Sequence, residues 1–377
     1  MSRKIGVDLH LLSGKHQGSR TFLVNILAEI LRLDRDNEYF VYLNDRRGFY
    51  PALGLVGDEW ERRKNIRLRE YAFKSPLLRI AVNLPALEFR DRLDIFHSQY
   101  ISPPITFARD VVTVHDILYE THPQYFTRPF VLRSKLLIRT SARRAKMVLT
   151  DSLFSKSQLI DTYKIPEDRI EVVQGGVNTQ RFNRQQIKEA GAYIENKFRL
   201  RDFILNVGRL EPRKNQLLLV KAYHQLIRTR ITPERLVIIG GRDFLYEPIY
   251  RYVQENNLDR RVVILNAVAD DELPLFFKAA TLFVYPSFAE GFGLPVLEAM
   301  ACGTPVIASD STSIPEIAGE ACVLIDPGEM SELSRAMAGL LDDPARREEL
   351  TRKAVERAGR FSWKTAALKT LQVYNKL

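Results

Sequence analysis

The chain has 377 residues, 45% of them hydrophobic and 27% charged, a globular composition long enough for two domains with a core each. Lys and Arg number 56 against 46 Asp and Glu, a formal charge of +10 that suits an anionic partner such as nucleic acid, a phospholipid surface or a phosphorylated small molecule. Apolar runs fall short of the roughly 20 residues of a membrane-spanning helix, and the two cysteines, Cys302 and Cys322, have neither CxxC spacing nor a nearby histidine, so neither a helical membrane protein nor a cysteine zinc site is expected. Both cysteines read as small buried hydrophobes.

The first residues, MSRKIGVD, run directly into an apolar strand without the long apolar core of a signal peptide, and a cytoplasmic protein is expected. Strand-length apolar runs at residues 5–7, 40–43, 95–97 and 111–114, with a helical pattern at 22–33, predict a parallel sheet. The loop HLLSGKHQGSR at 10–20 lacks the spacing of a dinucleotide fingerprint, which disfavours a nicotinamide enzyme, yet its glycines, Gly18 among them, let backbone approach a phosphate. Asp34 and Asp36 match a DxD metal motif only superficially, in a charged turn. VTVHD at 112–116 ends a buried strand with His115 and Asp116 at its C-terminal edge, where such sheets meet ligands; the plainer alternative for His115 is a hydrogen-bonded strand-end histidine. His97 is a secondary candidate of the same kind, His10, His16 and His122 have no metal-ligand spacing, and His224 falls within a predicted helix.

From Arg128 to Lys146 run seven basic and no acidic residues, interspersed with Phe130, Val131, Leu132, Leu136, Leu137 and Ile138. Such a helix either lies on an anionic bilayer or is simply solvated. VVQGGVN at 172–178 carries a Gly-Gly pair suited to a hinge, and the domain boundary is placed near 184. The alternation then restarts, with strands at 203–207, 236–239, 262–265, 282–285, 305–308 and 322–325 and a helix at 216–228, before a last amphipathic helix at 362–377.

In this half, FILNVGRLEPRKN at 203–215 puts Arg209 and Lys214 just past a strand, placed to neutralise a diphosphate, with Arg213 in solvent or behind them. LFVYPSFAEGFGLPVLEAMACG at 282–303 leads from a strand through a glycine turn into a helix whose first turn holds Pro295. The amides of Phe292, Gly293 and Leu294 then lie at the positive end of the helix dipole, open to phosphate or sugar oxygens. Glu290 and Glu298 are suited to vicinal hydroxyls; the plainer alternatives are a helix cap and a solvated charge.

EGFGLPVLE at 290–298 resembles the Glu-x7-Glu signature of family 4 retaining glycosyltransferases, and the likeness continues through AMACGTPVIAS at 299–309 and IPEIAG at 314–319 to cover nearly all of residues 95–375. The resemblance implies an α/β chain of GT-B fold: two Rossmann-like doubly wound domains facing across a cleft, with a C-terminal helix crossing back. It assigns 1–184 to acceptor binding, 185–361 to the nucleotide-sugar donor, and 362–377 to the returning helix. It further implies that Glu298 holds ribose hydroxyls, Glu290 and the following amides the donor sugar, Arg209 and Lys214 the diphosphate, His115 the transferred sugar, and the Val268 backbone the nucleobase. Relatives carry Gly-Gly-x-Gly-Arg in the first loop; this chain has QGSR at 17–20, keeping Gly18 and Arg20.

The implied activity is metal-independent transfer of a hexose, with its anomeric configuration kept, from a nucleotide-diphosphate sugar to a glycan or lipid-linked acceptor. GDP-mannose leads and UDP-hexoses follow as donors, no cofactor is needed, and residues 128–146 are the candidate contact with an anionic membrane. Nucleic acid is disfavoured because no basic motif interleaved with aromatics is present. The rivals are a nucleotide-sugar epimerase of the same fold and a non-catalytic binder of sugar nucleotides or polyanions.

Overall fold

The computed structural model describes residues 2–13, 18–73 and 75–377. Two compact units emerge: one comprises the residues up to Thr121, Thr127–Gly176 and Ser362–Leu377, the other His122–Phe126 and Val177–Phe361. The chain passes from one to the other at Gly176–Val177, earlier than the expected residue 184. Gly176 shows why. A Cβ there would fall 2.3 Å from the backbone nitrogen of Trp363, so the outgoing and returning segments run side by side at that point. The charged stretch after it folds into the helix Ile187–Phe198, whose Ala190 and Ile194 are buried and whose Phe198 packs edge-on against Phe276 at 4.9 Å, all within the second unit.

The first unit carries a seven-stranded parallel sheet in the order β3-β2-β1-β4-β5-β6-β7. Its strands are β1 (Lys4–Asp8), β2 (Glu38–Leu43), β3 (Ile66–Glu70), β4 (Ile95–Gln99), β5 (Arg109–Thr113), β6 (Met147–Thr150) and β7 (Ile170–Val172). Edge strand β3 escaped the sequence reading because Arg67 and Arg69 interrupt its apolar residues, and β7 because it is three residues long. In register, Val7 lies beside His97, Gln99 beside Thr113 and Thr113 beside Leu149. The C-terminal ends of β1, β4, β5 and β6 therefore form one rim, the place where parallel sheets bind ligands.

The helix Trp363–Lys376 completes this unit. Trp363 meets Phe22 at 5.9 Å, and Tyr374 hydroxyl lies 2.6 Å from His97 Nδ1. His97 Nε2 is 2.7 Å from Thr113 Oγ1, so both ring nitrogens are used in packing. Burial pushes this imidazole down to about 4, which leaves it neutral, and its secondary candidacy ends here. Asp34 is likewise structural: its carboxylate accepts from the Asn37 side chain at 2.6 Å, from the Tyr39 hydroxyl and from the Asp36 amide, closing the turn after the helix Gly18–Leu33.

The second unit holds a six-stranded parallel sheet, order β10-β9-β8-β11-β12-β13. These are β8 (Phe203–Val207), β9 (Arg235–Ile239), β10 (Val262–Leu265), β11 (Leu282–Tyr285), β12 (Val306–Ser309) and β13 (Val323–Ile325). Their side chains alternate between two cores. Phe203, Leu205, Phe283 and Tyr285 pack into one; Ile204, Leu282 and Val284 pack into the other. A strand covered on both faces reads as an unbroken apolar run, which is why these were found from sequence nearly to the residue. Cys302 and Cys322 are buried, and burial pushes each thiol up to about 12. Among the described residues, no helix is long and apolar enough to cross a membrane.

Candidate active site

In the second unit, β11 ends at Tyr285 and the helix Leu294–Cys302 begins nine residues later. Gly293 adopts φ +114°, and a Cβ there would stand 2.6 Å from Ile314 Cδ1, so both backbone and space demand glycine. The Ser313 hydroxyl sits 2.9 Å from the carbonyl oxygens of both Glu290 and Phe292 and holds the turn open. Phe292 is 6% exposed, with its ring against Phe361 at 6.2 Å, and so offers a ligand only its backbone. The structure pairs none of the amides of Phe292, Gly293 and Leu294 with a carbonyl of the described residues. Unpaired amides at a helix start form a ready site for anionic or hydroxyl oxygens.

Behind the turn lies a charge cluster. The turn Pro212–Lys214 follows β8 and stops at Asn215, which adopts φ +59° and donates through Nδ2 to the carbonyls of Pro286 at 3.0 Å and Pro327 at 2.7 Å. That one amide pins three loops together, a role the sequence reading missed. Lys214 Nζ then reaches Glu290 Oε1 and the Tyr285 hydroxyl, both at 2.7 Å, and the Tyr285 hydroxyl donates to Glu290 Oε1 at 2.9 Å. Arg213, expected in solvent or behind the site, takes the second place: buried, it donates to Glu290 Oε2 at 2.9 Å, Ala289 carbonyl at 2.7 Å and Glu211 Oε1 at 2.6 Å. Burial alone would raise the Glu290 carboxyl, but Arg213 and Lys214 outweigh it and hold the group at about 2. Burial also lowers Lys214 against the pull of Glu290. Arg209, about half exposed, pairs with Asp243 and reaches the edge of this cluster at Glu211 Oε2, 3.8 Å away.

Glu298 presents the opposite case. It is half-buried on the helix Leu294–Cys302, and no described residue donates a hydrogen bond to its carboxylate. Burial raises it to about 8, with Arg181 opposing and Asp270 adding to the rise. Val268 lies in the loop after β10, its side chain packed on the core that holds Phe292.

In the first unit, His115 is buried just beyond β5. Its Nδ1 is 2.8 Å from Asp151 Oδ2, Phe22 and Tyr100 close on the ring at 4.9 and 5.4 Å, and Nε2 has no hydrogen-bond partner among the described residues. Asp116 accepts from the Leu118 amide at 3.1 Å, shaping the following turn. Gly18 opens the helix Gly18–Leu33, and Arg20 Nε donates to the Leu12 carbonyl at 3.1 Å. Residues 14–17 of the first loop, His16 among them, lie outside the described residues. Among the described residues, no group of three or more His, Cys, Asp or Glu is arranged to hold a metal ion.

Two parallel sheets in one chain, each with its loops gathered at the strand C-termini, define an α/β protein of GT-B fold, which solved structures match along the whole chain. Sucrose-phosphate synthase from Thermosynechococcus elongatus superposes with TM-score 0.77 at 22% identity, covering 99% of this chain and 98% of that one. Anabaena HepE, solved with UDP and glucose, gives TM-score 0.77 at 21% identity with full coverage of both chains. Residues 193–357 match the model of glycosyl transferases group 1, and residues 18–181 that of glycosyltransferase family 4. O-antigen chain mannosyltransferase B of Escherichia coli is 32% identical over 317 residues, 82% of this chain and 83% of that protein. The chain belongs to this glycosyltransferase family.

Proposed function

We propose that the chain transfers a hexose, mannose first and glucose second, from a nucleotide-diphosphate sugar to a hydroxyl of a glycan or lipid-linked acceptor, in cell-surface polysaccharide assembly. The observation that carries this reading is the turn at Gly293: three unpaired amides at a helix start, backed by Lys214 and followed by a carboxylate without a hydrogen-bond donor at Glu298. Glu298 takes the ribose diol, the Val268 backbone the base, and Arg209 and Lys214 the diphosphate. The amides of Phe292, Gly293 and Leu294 hold the sugar with Glu290, whose two cations keep it an ionised hydroxyl acceptor.

As the bond from the anomeric carbon to the diphosphate breaks, negative charge grows on the departing phosphate, and Lys214, Arg209 and the helix-start amides stabilise it. These residues supply the charge that a metal supplies in other transferases. The departing phosphate takes the acceptor's proton on the same face, which keeps the anomeric configuration. The mannosyl preference is supported by the similarity to the E. coli O-antigen mannosyltransferase. The protein works in the cytoplasm at the inner face of a membrane, reached through residues 128–146.

The test is nucleoside diphosphate release from GDP-mannose and UDP-glucose with and without an acceptor glycan, with Glu290→Gln as control and NMR of the product anomer. Release that depends on acceptor, a retained anomer and a near-inactive Glu290→Gln chain are expected. A new sugar epimer formed without acceptor, or an inverted linkage, would sink the corresponding part of the reading.

A further inference from the structure

The first unit's rim holds polar atoms that the proposed chemistry does not use. Gln99, the last residue of β4, is 4% exposed, and neither its Oε1 nor its Nε2 has a hydrogen-bond partner among the described residues. Asp151, the first residue after β6, is 6% exposed; one oxygen holds His115 and the other, Oδ1, has no partner among the described residues. His115 Nε2 makes a fourth unpartnered atom. Register relates them: Gln99 pairs with Thr113, two residues before His115, and Thr113 pairs with Leu149, two residues before Asp151. Side chains two apart on a strand share a face, and so do side chains at paired positions, so Gln99, His115 and Asp151 end three neighbouring strands on one side of the sheet. Four unmet hydrogen-bonding atoms in such a spot are costly to keep in a bare protein, and a polyhydroxylated ligand satisfies them.

We infer that Asp151 is a positioning residue for hexose transfer, fixing the His115 ring through Nδ1 so that Nε2–H donates to a sugar hydroxyl, and that Gln99 binds the same sugar directly through its amide. This rests on the proposed transferase reading and extends it to two residues that no sequence motif marked. The groups facing His115 are Asp151 after β6, Asp116 in its own loop and His97 on β4. Burial disfavours a charged ring, but Asp151 outweighs it and raises the imidazole above its ordinary value. The donating, doubly protonated ring therefore persists to higher pH than a free histidine allows, and transfer falls as pH rises through that point.

Three variants of the full chain test this: Asp151→Asn, which keeps an acceptor for Nδ1–H but removes the charge, Gln99→Leu, and His115→Gln. In Asp151→Asn, the alkaline fall of kcat/KM and the His115 15N titration, assigned by the signal missing from His115→Gln, are both expected to move down by at least about one pH unit. Placed in the His115→Gln background, Asp151→Asn is expected to change kcat/KM by less than about twofold, because its effect runs through the ring. Gln99→Leu is expected to raise the KM for donor about tenfold with the pH profile unmoved.

An Asp151→Asn chain with the wild-type pH profile, or one that loses as much without His115 as with it, overturns the positioning role. Unchanged KM in Gln99→Leu overturns the sugar contact. All three results leave glycosyl transfer standing, whereas a wild-type chain that releases no nucleoside diphosphate with any acceptor overturns the reading beneath them.

Discussion

Glu290 and Glu298, eight positions apart, occupy opposite electrostatic environments. Two cations lower the Glu290 carboxyl, burial raises the Glu298 carboxyl, and each shift has a measurable consequence. A carboxyl raised from its ordinary value of 4.5 to about 8 in the folded chain stabilises fully below pH 4.5, and that stability is lost as pH rises through about 8. Melting temperature is therefore expected to fall more steeply between pH 5 and 8 in the wild type than in Glu298→Gln. Ribose hydroxyls donate to the ionised form, so affinity for GDP or UDP is expected to rise with pH up to about 8, with titration calorimetry showing a flat profile for the variant. Glu290 gives the reverse sign: lowered from 4.5 to about 2, it contributes stability that is lost as pH falls through that window. Arg213→Met leaves this buried carboxylate with Lys214 as its remaining cation and is expected to destabilise the chain by about 3 kcal/mol in chemical denaturation. Sequence showed which residues were charged here; it did not show that Arg213, rather than Arg209, turns inward, because that depends on Asn215 folding the loop back onto Pro286.

At the scale of elements, the strand–turn–helix around Gly293 was readable because its parts are local: a doubly buried strand, glycines, and Pro295 in the first helical turn. Gly293→Ala forces a Cβ toward Ile314 at an angle alanine avoids, and is expected to cost about 1–3 kcal/mol of stability and most nucleotide-sugar binding. The helix Arg128–Arg144 was read for its charges, but its orientation needed the fold. Val131 and Ile138 are buried, while Leu132 and Leu136 remain 71% and 69% exposed, with Arg133, Arg143 and Arg144 also exposed. On a bilayer, that face seats two leucines among cations. Sedimentation with vesicles containing anionic lipid is expected to retain the wild type and to lose a Leu132→Asp, Leu136→Asp chain, with binding weakened by salt. Recovery of both chains in the supernatant would reject membrane docking.

For the molecule as a whole, the last helix belongs to the unit built by the first residues. Arg3 donates to the Tyr374 carbonyl, Lys369 to the Val172 carbonyl at 3.2 Å, and Tyr374 meets His97. Removing residues 362–377 strips Phe22 of its Trp363 contact and leaves His97 Nδ1 without its bond. The shortened chain is expected to lose the first unit's stability preferentially, seen as protease cleavage before residue 176 while the segment 177–361 persists. Equal resistance of both units would contradict this account of the helix.

The sequence by itself determined the two parallel sheets, the glycine turn with its helix, and the family, because each is written in residues close together in the chain: apolar runs of strand length, glycines where backbone needs them, and a nine-residue signature. The tertiary structure alone decided that the units change over at Gly176, that Arg213 faces Glu290, that His97 is spent on Tyr374, and that Asp151 bonds His115 while Gln99 ends the neighbouring strand. Those outcomes join residues tens to hundreds of positions apart, and no local pattern encodes which strand end will lie next to which until the sheet order has been set.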